Sequence, residues 1–512
     1  MPPNVVLDFG NRGIFGLQAP KQYGGLELSH SDTMRVYQQM AAVDVTLATM
    51  VFLHNTNGTR PVLHHAGPSL RDELMPLLAR GRELGAFALS EPGAGSNLGG
   101  LETKIVPDGN RAWRIYGHKR WNATGWCGVI SVFGRLQDAA GRSRGLTGFV
   151  VRQSDRGVRI GPESLTMGVR GILQNSVEFD GVRVTRDQML GEAGQGMLVV
   201  EDVLAHGRLA TAAVALGAAQ RSAQLILRYA SRREIETGRL LDNPQAGVEI
   251  SEMMHRISIG KEMLAYAAAR VDAGEAPIPE IAMAVKISCT DTGNFSANLL
   301  VQLLGGRGYM ENNLAPQIFR DTRMLSIGEG ANESLLAAVG RSLRMSDTLP
   351  AFLSSHPKGG YLAERILAIS RALENRGEAG PYSGNVARVW QDAERGRLAL
   401  GALELASAGN LTETETQQWA RLQFEEICRE AQQGSRQVAA ALPPQRLRKQ
   451  IEELSQTIGD METIAPGVDF GLDPLLRRAE RKEESRGPSA GEKKELLRRL
   501  LTTESLHLGE TV

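Results

Sequence analysis

One carboxylate, that of Glu329, is the strongest candidate for a catalytic group in this chain. Glu329 lies between Gly328 and Gly330, directly before a helical pattern that begins near Asn332. The glycines leave the backbone free to aim this side chain into a cavity, and we expect Asn332 to cap the helix. A carboxylate held there could act as a general base toward a weak carbon acid. The structural alternative is an acidic residue that merely favours the helix dipole.

Two glycine-rich segments and a pair of arginines could hold a flat, phosphorylated ligand. The segment 90–96 reads SEPGAGS, and its glycines permit close approach of a ligand to bare backbone. Arg232 and Arg233 follow a long helical pattern, and their planar forks suit phosphate oxygens. GGRGYM at 305–310 follows a helical pattern rather than a strand, so we do not expect a Rossmann fold. An ordinary loop and a solvated helix end are the structural alternatives.

Composition narrows the classes of function. The chain has 512 residues, 58 basic and 58 acidic side chains and a formal net charge of zero, so nothing favours nucleic acid as a partner. Three dispersed cysteines and unpaired histidines predict neither disulfides nor a metal site. No apolar run is long enough to span a membrane and the N-terminus does not resemble a signal peptide, so we expect a cytoplasmic protein.

The order of elements predicts how these residues are positioned. Residues 30–84 show helical periodicity with a cap at Ser29 or Ser31. Residues 86–188 contain short β-branched and aromatic runs separated by turns, typical of an antiparallel sheet or small barrel. Long helical patterns return from about 195 to 345, one of them ended by Gly305 and Gly306. Residues 346–360 are expected to be a linker, followed by polar helices.

Three segments in order resemble signatures of the acyl-CoA dehydrogenase family, over roughly residues 12–345. They are AFALSEPGAGSNLGGLETK, LTMGVRGILQNSVEFDGVRVTRDQMLGEAGQGM and LGGRGYMENNLAPQIFRDTRMLSIGEGANESLL. The resemblance implies an α+β, mainly α fold. Its predicted domains are a shortened N-terminal helical domain (1–84), a middle β-barrel (85–190), a C-terminal four-helix bundle (191–345) and a helical extension (346–512). The extension resembles that of very-long-chain members.

The resemblance implies FAD-dependent α,β-dehydrogenation of an acyl thioester, as in fatty acid metabolism. Glu329 would remove the α-proton while flavin N5 accepts the β-hydride, and an electron-transfer flavoprotein would take the electrons. Some members carry the base directly before an arginine that matches Arg208, but Gly207 stands there. Glu329 is therefore the candidate at either family position, and burial should raise its pKa.

The family's cofactor and substrate contacts carry over residue by residue. The FAD contacts implied near the middle domain are Phe87, Leu89, Ser90, Gly95, Ser96, Trp121 and Ala123. Those implied in the bundle are Arg233, Gln245, Gln302, Gly305, Gly306, Ala331 and Glu333. Substrate contacts are implied for Ser96, Arg208 and Gly330. Arg233 and the glycines would reach the FAD of a neighbouring subunit, which predicts a homodimer or homotetramer.

Departures from the family pattern keep alternatives open. Ala123 replaces a threonine that donates to flavin N5, Thr124 could supply that hydroxyl, and Ala331 and Glu333 replace a threonine and a glutamine. The Ala123 departure keeps open an oxidase that returns electrons to oxygen. A dehydrogenase or oxidase acting on a carrier-protein-bound acyl group and a flavin-bearing scaffold are further alternatives, whereas a monooxygenase of the same fold has no need of Glu329. Basic amphipathic helices are predicted near 445–455 and 493–501. Their composition favours solvated, salt-bridged surfaces, and peripheral membrane contact is the alternative interpretation.

Overall fold

The computed structural model describes residues 2–109, 111–123, 127–374, 378–434 and 436–459. The N-terminal part is helical: α1 (Pro3–Asn11), α2 (His30–Ala41), α3 (Val45–Phe52), a π-helix (Leu53–Thr59), α4 (Arg60–His65) and α5 (Pro68–Ala79). Ser29 caps α2, because its hydroxyl accepts a hydrogen bond from the Asp32 N–H at 3.0 Å. This confirms one of the two caps that the sequence predicts.

The middle part is an eight-stranded sheet. Its strands are β1 (Gly85–Ala88), β2 (Lys104–Pro107), β3 (Ala112–Asn122), β4 (Val129–Gln137), β5 (Ser143–Arg152), β6 (Val158–Glu163), β7 (Asn175–Thr185) and β8 (Met189–Leu190). They follow the order β6-β7-β3-β2-β4-β5-β8, with β1 also on β4. Most neighbouring strands pair antiparallel, as the sequence predicts, but β1 and β2 both run parallel to β4. The chain passes through other strands before β4, which supplies the crossover that parallel pairing needs.

Long helices follow the sheet: α6 (Gly196–Ala230), α7 (Pro244–Asp272), α8 (Pro279–Leu304), α9 (Leu314–Leu325) and α10 (Asn332–Met345), with a hairpin of β9 (Glu234–Ile235) and β10 (Gly238–Arg239) after α6. The small residues of α6 let its neighbours approach closely. A Cβ on Gly217 would overlap the carbonyl oxygen of Gln38 on α2. Gly305 ends α8 at φ +60°, as the sequence predicts.

The described part of the extension, which ends at residue 459, is mostly helical and packs on the bundle. Its elements are α11 (Thr348–Ser355), α12 (Gly360–Glu374), a hairpin of β11 (Glu378–Ala379) and β12 (Tyr382–Ser383), α13 (Gly384–Ala408), α14 (Thr414–Gln433), α15 (Arg436–Ala439) and α16 (Pro444–Ile458). The expected linker at 346–360 was wrong, because α11 lies within it and buries Leu349, Phe352 and Leu353. Pro350 is tolerated in the first turn, where its missing N–H has no intrahelical partner.

Helix α13 anchors the extension to α10. A Cβ on Gly340 of α10 would overlap the Asp392 carbonyl oxygen, so the two backbones touch directly. The Ser288 hydroxyl of α8 donates to Glu404 of α13 at 2.7 Å. No helix in the described ranges is long and apolar enough to cross a membrane. The amphipathic segment near 493–501 lies outside the described residues.

Candidate active site

Glu329 occupies a strained loop, residues 328–331, here called the base loop. Its φ of +56° lies in the left-handed region, which side chains other than glycine rarely adopt. Two buried cations hold the loop from behind: Arg208 Nε donates to the Glu329 carbonyl at 3.2 Å, and Lys286 Nζ donates to the Gly330 carbonyl at 2.8 Å. Such strain persists where surrounding contacts over-determine the conformation, as they do at functional sites.

The two carboxylate oxygens of Glu329 differ in their hydrogen bonding. Asn57 Nδ2 donates to Oε1 at 2.9 Å. Oε2 is closed off from solvent and has no hydrogen-bond partner among the described residues. It faces α6 at Gly207, where an added Cβ would come within 2.9 Å of it. A side chain at position 207 would therefore crowd the free oxygen.

The electrostatic surroundings of Glu329 suit a base. Burial raises the pKa of Glu329, and the Asn57 hydrogen bond together with the charges of Arg208 and Lys286 opposes that rise. Burial also lowers the pKa of Lys286 to about 8. A carboxyl group whose pKa lies above its usual range binds a proton more readily, which matches the need of a general base.

Asn332 does not cap α10, contrary to the sequence-based expectation. The N-cap is Ala331, whose side chain makes no cap bond. The Asn332 side chain turns inward instead, where its Oδ1 accepts from Lys286 at 2.7 Å and its Nδ2 donates to Asp291 at 2.7 Å. The reason is the burial of Lys286, because an ammonium group away from water must find acceptors.

A buried ion pair lies beneath residues 90–96, here called the glycine-rich loop. Lys119 Nζ donates to the Leu89 carbonyl and to Glu91 Oε1, both at 2.8 Å. The Glu91 carboxylate also accepts the backbone N–H of Thr103 at 3.0 Å. A Cβ on Gly93 or Gly95 would meet no atom within 4 Å, so packing within the chain does not demand these glycines. They leave open space over the loop.

Trp121 lies beside this loop at the end of β3, and it is not a core residue. Its side chain is 48% exposed and its φ is +60°. The Arg120 guanidinium lies over its ring at 5.3 Å. Phe87 and Leu89 lead into the loop from β1, and Ala123 follows β3. Thr124, the residue that could replace the missing hydroxyl, lies outside the described residues.

The glycine-rich loop and the base loop are neighbours. Ser334, in the first turn of α10, donates through its hydroxyl to that of Ser96 at 3.2 Å. Ala331 and Glu333 lie between that contact and Gly330. The structure therefore brings together the residues predicted for substrate contact, Ser96, Arg208 and Gly330, with those predicted around the glycine-rich loop.

The remaining predicted cofactor residues lie elsewhere. Arg233 lines an open cleft of about 430 Å³, here called the arginine cleft, together with Leu225, Arg228, Tyr229, Arg232, Leu304, Arg307 and Asn313. Gly305 and Gly306 follow Leu304 and would also accept a Cβ without contact. Gln302 is exposed near the cleft, whereas Gln245 is exposed in the first turn of α7. From Lys286 to Leu304 the axis of α8 runs about 27 Å, so the cleft and Glu329 are distant within one chain.

Sequence reasoning missed three residues that hold this site: Asn57, Lys286 and Glu91. Each is a polar residue within or beside an apolar segment, and each finds its partner far away in the chain. The visible signal for Asn57 is the polar run HNTNGT inside an otherwise apolar helical pattern. For Lys286 it is one cation within IAMAVKISC. Neither run shows which partner the side chain meets.

With this geometry in place, comparison with known proteins identifies the class. Models of the acyl-CoA dehydrogenase N-terminal, middle and C-terminal domains match residues 1–82, 86–182 and 194–344. The chain belongs to the acyl-CoA dehydrogenase family, a family of oxidoreductases. This confirms the resemblance on which the sequence-based fold rests.

Individual relatives agree with that placement. The mitochondrial very long-chain specific acyl-CoA dehydrogenase of Mus musculus is 30% identical over 333 residues, which are 63% of this chain and 50% of that relative. This chain thus matches about half the length of that enzyme. The butyryl-CoA dehydrogenase structure from Megasphaera elsdenii shares the fold, with a TM-score of 0.64 and 24% identity over 67% of this chain and 90% of its own.

A further solved structure aligns with part of the extension as well. The acyl-CoA dehydrogenase of Bacillus anthracis, solved in complex with FAD, superposes with a TM-score of 0.71 at 20% identity. It covers 88% of this chain and 85% of its own. Since the family models end at residue 344, the additional coverage reaches into the extension.

Proposed function

We propose that this protein is an FAD-dependent acyl-CoA dehydrogenase in which Glu329 removes the α-proton of an acyl thioester. The observation that carries the proposal is the Glu329 carboxylate, with one oxygen held by Asn57 and the other shielded from water and without a hydrogen-bond partner in the described part of the chain. A thioester α-proton is a weak acid, so its removal needs a positioned base with a raised pKa. This carboxylate satisfies both conditions.

The residues around the glycine-rich loop fit FAD. The loop offers bare backbone at Gly93 and Gly95, and half-exposed Trp121 offers an aromatic face beside it. When bound there, FAD would be the two-electron oxidant for the hydride of the β carbon. The adjacency of this loop to the base loop, through Ser96 and Ser334, supports the placement of cofactor and base on one substrate.

Two cations that contact the base loop, Arg208 and Lys286, position the base. Arg208 and Lys286 fix the two peptide groups that follow Glu329, which sets the direction of its side chain and of the neighbouring N–H groups. Their charges also act on the Glu329 carboxylate and offset part of the rise in its pKa that burial causes.

Anaerobic titration tests the proposal directly. The purified FAD-loaded protein is mixed with acyl-CoA thioesters of increasing chain length, and the visible flavin absorbance is followed without oxygen. We expect bleaching with wild type and none with Glu329→Gln, because the amide cannot take the proton. Bound FAD without bleaching by any CoA ester would exclude simple acyl-CoA dehydrogenation. Bleaching by an acyl-carrier-protein thioester alone would identify the carrier-bound alternative instead.

The electron acceptor is proposed to be an electron-transferring flavoprotein. The Ala123 substitution motivates the oxidase alternative, in which the reduced enzyme passes electrons to oxygen. Stopped-flow mixing of the bleached enzyme with either acceptor separates the two outcomes. Rapid reoxidation by oxygen alone would favour the oxidase. A scaffold role would be favoured if FAD binds but no thioester reduces it.

We also propose that the arginine cleft binds the FAD diphosphate of a neighbouring subunit. Its four arginines suit phosphate oxygens, and the cleft is too distant from Glu329 to serve the same FAD within one chain. The proposal requires at least a homodimer. Sedimentation of wild type and Arg233→Glu, with FAD content measured in each, checks it. A monomeric wild type that retains FAD would contradict it.

Peripheral membrane contact is a second candidate role for the extension. Helix α16 exposes an apolar stripe at helical spacing, formed by Leu447, Ile451, Leu454 and Ile458. Arg446, Arg448 and Lys449 add positive charge near its start. Co-sedimentation with anionic vesicles checks this role, and Ile451→Glu should abolish binding because it charges the centre of the stripe. Equal sedimentation of both forms would refute it.

A further inference from the structure

The π-helix Leu53–Thr59 is an unusual element beside the candidate base. It lies between α3 and α4, and from His54 to Thr59 every residue is buried. Extra residues in a π-helix turn the side chains away from the regular α-helical faces, and such segments are frequent at functional sites. Here the redirected side chains are mostly polar, so each needs a hydrogen-bond partner inside the protein.

Most of these polar side chains tie the N-terminal segments together. His54 contacts the Leu78 carbonyl at 3.0 Å and the Gly85 N–H at 3.2 Å. Asn55 accepts the Leu17 N–H at 3.0 Å and donates to the Ile14 carbonyl at 3.0 Å. These bonds account for His54 and Asn55 as structural residues.

Asn57 differs, because its hydrogen bond reaches across the fold to Glu329. The Asn57 amide presents Nδ2 to Glu329 because an ionised carboxylate only accepts hydrogen bonds. The single proton of the Thr56 hydroxyl is shared between the Phe52 carbonyl at 2.7 Å and Asn57 Oδ1 at 3.0 Å. Asn57 is itself buried, with 8% exposure, so this donor does not have to compete with bulk water.

We propose that Asn57 is the positioning residue of the base: it holds Oε1 of Glu329 and thereby makes Oε2 the atom that takes the α-proton. The inference rests on the proposed role of Glu329. Oε2 faces the one position on α6 where the absence of a side chain leaves it room, Gly207. The bond to Asn57 keeps one oxygen of the carboxylate occupied and the other directed at Gly207.

The bond also stabilises the charged form of Glu329. The charged groups that act on Glu329 are Arg208 from α6 and Lys286 from α8, whereas the π-helix presents the neutral Asn57. Glu201 acts in turn on Arg208, and Asp291 and Glu333 act on Lys286. Loss of the Asn57 donor should therefore raise the pKa of Glu329. At pH values below the wild-type pKa, the ionised fraction of Glu329 should fall about 10- to 100-fold, which corresponds to the usual worth of a hydrogen bond to a charged group.

The experiment compares Asn57→Leu, Asn57→Asp and the control Thr59→Val in the FAD-loaded protein. Asn57→Leu removes the donor and keeps the branched shape of the side chain, and Asn57→Asp adds a like charge that should raise the pKa of Glu329 further. Thr59→Val removes a buried hydroxyl from the same π-helix, where its contact is His54. The first readout is the pH profile of anaerobic flavin reduction by the thioester that bleaches wild type.

A second readout does not depend on activity. The carboxyl stretch of Glu329 is titrated by infrared difference spectroscopy, with Glu329→Gln subtracted to isolate the band. We expect a higher pKa in Asn57→Leu than in wild type and Thr59→Val. A rate loss that is equal at every pH, with the infrared pKa unchanged, would overturn the inference and leave Asn57 as a packing residue.

The two proposals fail in different ways. If wild type is bleached and Glu329→Gln is not, an unchanged pKa in Asn57→Leu refutes the positioning role alone. If no thioester bleaches wild type, the catalytic proposal fails, and the positioning role fails with it. Circular dichroism and FAD content of each variant verify that it is folded.

Discussion

Replacing Lys119 with methionine tests whether the ion pair beneath the glycine-rich loop holds that loop in place. The Lys119 side chain is fully buried and that of Glu91 is 5% exposed. Removing the ammonium leaves the Glu91 carboxylate buried with backbone N–H groups as its remaining donors, and it frees the Leu89 carbonyl. Breaking one side of a buried pair costs about 3–5 kcal/mol, because the other charge stays uncompensated.

That cost is large against the stability of a folded domain, which is commonly about 5–15 kcal/mol. The assay is urea denaturation followed by circular dichroism, with retained FAD measured after gel filtration. Lys104→Met is the matched control, since Lys104 is an exposed lysine on β2 of the same sheet. We expect Lys119→Met to lose most of its FAD and to unfold at lower urea, while the control behaves as wild type.

A double variant sharpens the test. Lys119→Met with Glu91→Gln removes both charges, so it should recover part of the stability lost in Lys119→Met. The reasoning would be refuted if Lys119→Met and Lys104→Met unfolded at the same urea concentration and retained equal FAD. It would also be refuted if the double variant were less stable than Lys119→Met.

Three further predictions concern the ion pair, the base loop and the extension. Burial alone would raise the pKa of Glu91, but the Lys119 charge and the hydrogen bonds to the carboxylate lower it. The contribution of ionised Glu91 to the free energy of unfolding should therefore be present above about pH 4.5 and lost in acid. Urea denaturation at several pH values checks this. Lys286→Met frees two buried acceptors and should slow anaerobic flavin reduction at least about tenfold while FAD stays bound, as stopped-flow and absorbance spectra would show. Gly340→Leu forces α10 away from α13 and should lower the melting temperature, whereas Gly247→Leu should not, because an added Cβ at Gly247 meets no atom within 4 Å.

Local patterns predicted the parts of the site that depend on nearby residues. The stop at Gly305, the cap at Ser29 and the placement of Glu329 ahead of α10 each follow from a few adjacent residues. The expected linker at 346–360 failed for a related reason. Its Ser, Pro and Gly content is a local signal, but the burial of Leu349 and Phe352 against the core is decided by tertiary packing.

Partners that are distant in the chain were beyond such reasoning. Asn57 and Glu329 are 272 positions apart, and Lys286 is 46 positions from Asn332. Periodicity assigns a residue to an element, but it does not state which element the side chain will face. Asn332 shows the consequence: its type and position fit a cap, and the buried ammonium of Lys286 competes for it and prevails.

The contact between α10 and α13 has a consequence for synthesis of the chain. Helix α10 completes the base loop, yet the surface around Gly340 is shaped to receive the backbone of α13. That helix begins about fifty residues later, so α10 leaves the ribosome several seconds before its packing partner. A nascent chain that stops after the bundle would expose the face of α10 around Gly340, with Val339 and Leu343 beside it, to chaperones and proteases. Packing of α10, the helix that follows the base loop, is thus linked to synthesis of the extension.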